Sequence, residues 1–417
     1  MKALKITGNN ELKGTIRISG AKNSSVALIP AAILSDSVVT ICNVPEITDT
    51  DALSEILTYL GAEVRRASES IVINPGTIEN KEIPEEQAKK LRASYYFMGA
   101  LLGKYKHVEM YFPGGCSIGE RPINLHLKGF EALGATVTNI ENKYIVDAHT
   151  LKGANIYLDI ASVGATINIM LAAVKAEGVT VIDNAAKEPE IVNIATFLNN
   201  MGARITGAGT SEIRIVGVQT LGGCFHEVIP DRIEAGTYTI IGALLGNSLK
   251  IDNIIPEHIE ALTSKLIEMG VKLEIGSDYL IVNKPEYYKP VNIKTLVYPG
   301  FPTDLQQPFT ILLTQADGNS TVTETIWENR YMHIPELNKM GTNIVVEGIK
   351  AKIFGPTKLI GAKVKATDLR AGAAMVAAAL LADGETIITN INHILRGYEN
   401  IVNKLSEVGA KIEIIEI

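Results

Sequence analysis

Tyr59-Leu60-Gly61-Ala62-Glu63-Val64 is an apolar helix tail that stops at a glycine and passes into an alternating run, and the phrase returns along the whole chain. It reappears as Ala132-Leu133-Gly134-Ala135-Thr136-Val137, Asn200-Met201-Gly202-Ala203-Arg204-Ile205 and Glu268-Met269-Gly270-Val271-Lys272-Leu273. Two further copies are Lys339-Met340-Gly341-Thr342-Asn343-Ile344 and Glu407-Val408-Gly409-Ala410-Lys411-Ile412. The glycines are 73, 68, 68, 71 and 68 residues apart, a fixed period that marks a repeated structural unit. A glycine at this place predicts a helix closed by a left-handed cap, and the alternation after it predicts a strand.

Working outward from the first copy, residues 14–19 read as a strand, Lys22 to Leu34 as a helix and Val38 to Val44 as a strand. A helix over Asp49–Leu60 and two short strands, 63–66 and 70–73, complete the unit. The third copy repeats the order: strand 155–160, helix 163–176, strand 180–184, helix 189–201, and strands 203–205 and 212–216. In the sixth the first helix is expected over 370–381. The first helix of each unit is apolar all round, as in Ile167-Asn168-Ile169-Met170-Leu171-Ala172-Ala173-Val174, which predicts burial on every side. The second is amphipathic. Six βαβαββ units with buried helices predict an α/β protein of two closed domains, three units each, with a cleft between them and the repeat boundary near Val218–Gly223. A continuous solenoid is the alternative, but fully buried helices argue against it.

A chain of 417 residues, 46% of them hydrophobic, can bury two cores. A net charge of -7 leaves no broad basic field for a nucleic acid or an anionic membrane, so an anion site has to be local. The cysteines, Cys42, Cys116 and Cys224, are three and far apart, which suits neither a disulfide framework nor a zinc site, and the seven histidines have no ligand spacing. No metal and no cofactor is expected. The polar start and the short apolar runs predict neither a signal peptide nor a membrane span, hence a soluble cytoplasmic protein.

Chemistry is expected where one copy of the repeat carries what the others lack. Pro113-Gly114-Gly115-Cys116-Ser117-Ile118-Gly119-Glu120-Arg121 puts a thiol and a guanidinium on one glycine-rich loop. A nearby positive charge favours the thiolate; an ordinary surface turn is the plainer reading. Lys22 and Asn23 open the first buried helix, Arg92 lies at the matching place in the second unit, and Arg370 and Arg396 lie in the sixth. Arginines at helix starts hold planar anions through forked hydrogen bonds, and each is otherwise a surface arginine. Asp304, in Tyr298-Pro299-Gly300-Phe301-Pro302-Thr303-Asp304, falls where a helix would be capped, and could equally serve as a general base. Trp327, the sole tryptophan, reads as core.

Taken together, Ser19–Asn23, Arg92-Ala93-Ser94, Pro113–Pro122, Ser162–Thr166, Tyr298–Asp304, Glu328–His333 and Arg396–Glu399 resemble the motifs of the enolpyruvyl transferases, in that family's order and along the whole chain. The resemblance implies a two-domain inside-out α/β barrel with one domain over 22–229 and the other made of 1–21 plus 230–417. It implies transfer of the enolpyruvyl group of phosphoenolpyruvate to the 3'-hydroxyl of UDP-N-acetylglucosamine, with phosphate released, at the first committed step of peptidoglycan synthesis.

Carried over residue by residue, the resemblance makes Cys116 the general acid, able to form a covalent adduct, and Asp304 the general base. Lys22, Arg121 and Arg396 would hold phosphoenolpyruvate. Asn23, Arg92, Arg121, Pro122, Ile123, Asn124, Leu125, Ser162, Val163, Gly164 and Ile326 would line the nucleotide-sugar site, and Arg330 and Arg370 would face the cleft. One departure is Ile160, where many members carry a lysine. A shikimate 3-phosphate enzyme and a catalytically silent sugar-nucleotide sensor are the rival readings.

Overall fold

The computed structural model describes residues 2–113 and 122–417. The chain forms two compact units, one from residues 20–113 with 122–229, the other from residues 2–19 with 230–417, and each has a separate hydrophobic core. Among the described residues there are six small sheets, five of four strands and one of three.

In the unit spanning residues 20–229, three helices fill the centre: α1 (Lys22–Ala31), α2 (Tyr96–Tyr105) and α3 (Val163–Ala173). Their sequences are apolar around the full turn, and the structure buries them accordingly; in α1 only Lys22 and Asn23 reach the surface, and in α3 only Val163 and Gly164. A fully buried helix thus emerges from the core at its N-terminal turn. Gly99 lies against Asn168 and Gly103 against Leu171, so α2 and α3 run parallel with their N-termini at one end. The missing Cβ atoms permit this approach: one added at Gly99 would stand 2.4 Å from the Asn168 carbonyl oxygen.

The other unit is built the same way around α4 (Arg232–Leu245), α5 (Thr303–Leu313) and α6 (Leu369–Leu381). Here too the half-exposed residues gather at the helix starts, Arg232 in α4 and Thr303 and Asp304 in α5. An Asp368 cap, accepting from the Arg370 and Ala371 N–H groups, starts α6.

The glycines of the recurring phrase all have left-handed φ, between 94° and 107°, and each closes a helix before a turn into a strand. Local predictions hold within a few residues: the 49–60 helix is Thr48–Tyr59, 189–201 is Pro189–Asn200, and the strand 155–160 shortens to Asn155–Tyr157. What differs from the repeat pattern is membership. The strand read at the head of the first copy, observed at Leu12–Arg17, pairs in parallel with Gly246–Asp252 in the other unit. Phe225–Glu227 takes the corresponding edge beside Val39–Cys42. The division therefore falls after Ile229, beyond the expected boundary at Val218–Gly223.

Candidate functional site

The residues singled out in the first unit lie on the emerging N-terminal turns. Lys22 is the first residue of α1, and its Nζ is 2.9 Å from Oδ2 of the buried Asp49. Asn23 follows it, half-buried. Arg92 begins the 3-10 turn Arg92–Tyr95 that leads into α2, with its guanidinium 5.9 Å from the Phe112 ring centre. Ser162 caps α3 by accepting from the Ala165 N–H, leaving Val163 and Gly164 in the first turn. Pro122 and Ile123 lead into the helix Asn124–Ala132, whose first two residues are Asn124 and Leu125. Cys116 and Arg121 lie outside the described residues.

Behind Arg92 and Gly164 stands a polar cluster that the sequence did not reveal. His126 is buried, its ring 4.8 Å from that of Tyr95. Asn168, fully buried in α3, accepts from the Gly99 N–H at 2.8 Å and places its amide nitrogen 2.9 Å from both the Tyr95 carbonyl oxygen and His126 Nδ1. Burial, helped by the Arg92 charge, pushes the His126 pKa down to about 3, so the ring is neutral. The available signal was Asn168 itself, a lone amide inside an otherwise apolar helix.

In the second unit Asp304 is the second residue of α5, not its cap; Pro302 occupies the cap position and makes no side-chain cap bond. The Asp304 carboxylate is instead held by two buried arginines. Arg330 Nη2 donates to Oδ1 at 2.6 Å and Arg370 Nη2 to Oδ2 at 3.1 Å. Arg370 also donates to the Tyr398 hydroxyl, which meets Thr237. A carboxylate gripped on both oxygens is held in one orientation.

Arg396 does not start a helix as expected. It follows the short helix Asn392–Leu395 and lies near His393, whose pKa is lowered by burial and then by the Arg396 charge. Ile326 is positioned by Glu324, a second side chain missed in the sequence. Glu324 Oε1 accepts from the Ile326 N–H and the Thr295 hydroxyl, and Oε2 from the hydroxyl of Thr303, the neighbour of Asp304. Trp327, expected in the core, is half-buried on the same loop.

The structure thus brings Asp304, Arg330 and Arg370 into direct contact in one unit, and sets Arg92, Gly164, Tyr95 and His126 together in the other. The two described thiols are poor nucleophiles: burial pushes Cys224 up to about 11 and also raises Cys42, which Glu227 raises further. Among the described residues no helix is long and apolar enough to cross a membrane.

Carboxylate and guanidinium groups at the ends of buried helices, in two units built alike, form an α/β architecture suited to handling anions, and comparison with known proteins gives it a family. The model described as EPSP synthase (3-phosphoshikimate 1-carboxyvinyltransferase) matches residues 6–405, and the chain belongs to that family. It is 56% identical over 412 residues to UDP-N-acetylglucosamine 1-carboxyvinyltransferase 2 of Geobacillus kaustophilus, covering 99% of this chain and 96% of that protein. It is also 56% identical, over 413 residues and the same shares, to the protein of that name from Bacillus subtilis. Among solved structures, the enolpyruvyl transferase NikO from Streptomyces tendae superposes with a TM-score of 0.91 at 27% identity, covering 99% of both chains. EPSP synthase from Acinetobacter baumannii gives 0.77 at 17% identity over 100% of both, a likeness of fold alone.

Proposed function

We propose that this protein transfers the enolpyruvyl group of phosphoenolpyruvate to the 3'-hydroxyl of UDP-N-acetylglucosamine, releasing phosphate, as the first committed step of peptidoglycan synthesis. The observation that carries the reading is the full-length likeness to relatives named for this activity. We read the six sheets as six βαβαββ copies, three to a domain, in the inside-out barrel of the family. The proposed location is the cytoplasm.

The sugar hydroxyl oxygen bonds to the central carbon of phosphoenolpyruvate while the methylene carbon takes a proton. In this reading Asp304 removes the hydroxyl proton and Cys116 supplies the one to carbon. The methyl group then returns a proton to the thiolate as the bond to the phosphate oxygen breaks, restoring the double bond and releasing phosphate. Lys22, Arg121 and Arg396 hold the phosphate and carboxylate of phosphoenolpyruvate. Arg92, Asn23, Pro122 to Leu125, Ser162 to Gly164 and Ile326 line the nucleotide-sugar site, where helix N-terminal N–H groups suit a diphosphate. Both Arg330 and Arg370 support the reading of Asp304, because a carboxylate gripped on each oxygen keeps a fixed orientation toward the hydroxyl.

Phosphate release with both substrates, and with each omitted in turn, tests the function. Turnover is expected only with the pair; release with shikimate 3-phosphate in place of the nucleotide sugar would overturn the reading. Cys116→Ala should abolish transfer while Cys42→Ala keeps it, and an active Cys116→Ala protein would remove the acid from the scheme.

A further inference from the structure

Asn168 has one orientation compatible with its surroundings. Its Oδ1 faces the Gly99 N–H, which can only donate, and its Nδ2 faces the Tyr95 carbonyl oxygen, which can only accept. The same Nδ2 lies 2.9 Å from His126 Nδ1, so that ring nitrogen has to accept and the imidazole proton has to be on Nε2. A protonated ring would turn two N–H groups against each other at Nδ1, and the buried, neutral state avoids this.

Nε2 has no hydrogen-bond partner among the described residues, although His126 is only 5% exposed. It lies 3.2 Å from where a Cβ on Gly164 would stand, and Tyr95 Oη is 2.9 Å from the same point. Its N–H therefore joins the unpaired N–H groups of the first turn of α3, on the side where Arg92 adds positive charge.

We propose that Asn168 is a positioning residue that fixes His126 as the Nε2–H tautomer, so that a neutral imidazole donates a hydrogen bond to a phosphate oxygen of the nucleotide sugar at the N-terminus of α3. The ligand class rests on the function proposed above; the tautomer rests on the geometry alone. A fixed neutral donor contributes direction without the cost of burying a second cation beside Arg92.

The test has two arms. Imidazole-nitrogen NMR of ligand-free protein labelled at histidine should show His126 at neutral pH with a protonated Nε2 and a bare Nδ1. Asn168→Asp can still accept the Gly99 N–H, but offers an acceptor to the ring, so the proton should move to Nδ1 and the ring should titrate at higher pH. In steady-state kinetics the same variant should raise the KM for UDP-N-acetylglucosamine roughly tenfold, the scale of one hydrogen bond, with KM for phosphoenolpyruvate and kcat changing less. A wild-type His126 carrying its proton on Nδ1 would overturn the proposal, as would a tautomer unmoved in Asn168→Asp or an unmoved nucleotide-sugar KM when the tautomer has moved. Should Asn168→Asp fail to fold, the wild-type spectrum and Asn168→Ala, which should leave a tautomer mixture, decide it. Absence of wild-type turnover would sink the functional reading while leaving the spectroscopic arm standing.

Discussion

Arg330 Nη2 donates to Asp304 Oδ1 at 2.6 Å, and the arginine that does so is only 2% exposed. The pair joins the start of α5 to the Glu328–His333 segment, and Arg370 at the start of α6 closes on the other carboxylate oxygen. One N–H from a planar guanidinium on each oxygen fixes the plane of the carboxylate, whereas a lysine would act as a point charge. Arg330→Lys should therefore lower kcat by about 10- to 100-fold with smaller changes in either KM, the signature of a misplaced reacting group. Arg330→Met should in addition lower the urea midpoint, because it strips one partner from a largely desolvated carboxylate, at about 1–3 kcal/mol. Kinetics that match the wild type in Arg330→Lys would show that the orientation of Asp304 does not matter.

Much of this site was legible before the structure, and what was missed shares one physical cause. A helix that is apolar all round and ends in glycine can only be a buried helix with a left-handed cap, so residues such as Gly61 and Gly409 announce the architecture locally. Lys22, Arg92 and Asp304 were visible as polar residues at the heads of such helices. The repeat pattern alone groups the strand Leu12–Arg17 with the first copy, because its neighbour, Gly246–Asp252, is chosen by parallel pairing across more than half the chain, which leaves no local mark. Asn168 and Glu324 were passed over because a buried polar group has meaning only through its partners, here Gly99, Tyr95, His126, Thr295 and Thr303. The local sequence leaves Asp304 open between a cap and a general base for the same reason: Arg330 and Arg370, which engage it, are distant in sequence.

Gly164 offers a test of how closely the head of α3 is fitted. A Cβ there would come within 2.9 Å of Tyr95 Oη and 3.0 Å of His126 Cε1, distances that force a side chain to move. The Gly164→Ala protein should fold, since helical backbone suits alanine, but the displaced ring should weaken the nucleotide-sugar site. KM for UDP-N-acetylglucosamine should rise about tenfold or more, while the KM for phosphoenolpyruvate should stay within a few-fold. Equal loss for both substrates would place the nucleotide sugar elsewhere.

The last prediction concerns Glu234, which lies in α4 and is 2% exposed. Its Oε1 is 2.7 Å from Lys404 Nζ and its Oε2 accepts from the Ser19 N–H at 2.8 Å. Despite this pairing, burial dominates and holds its pKa up at about 7, with Lys404 pulling the other way and Asp231 adding to the rise. The unfolded carboxyl titrates near 4.5, so between that value and about 7 the folded state carries the extra proton. Stability must then fall as pH rises through that window. Going from about pH 5 to about pH 8 should cost between about 2 and 3 kcal/mol from this group. Glu234→Gln removes the titration, so its urea midpoint relative to wild type should climb across the same range and level off above about pH 8. A difference between the two proteins that stays flat with pH would mean that the Lys404 ion pair keeps Glu234 ionised throughout, and that burial is the weaker influence at this position.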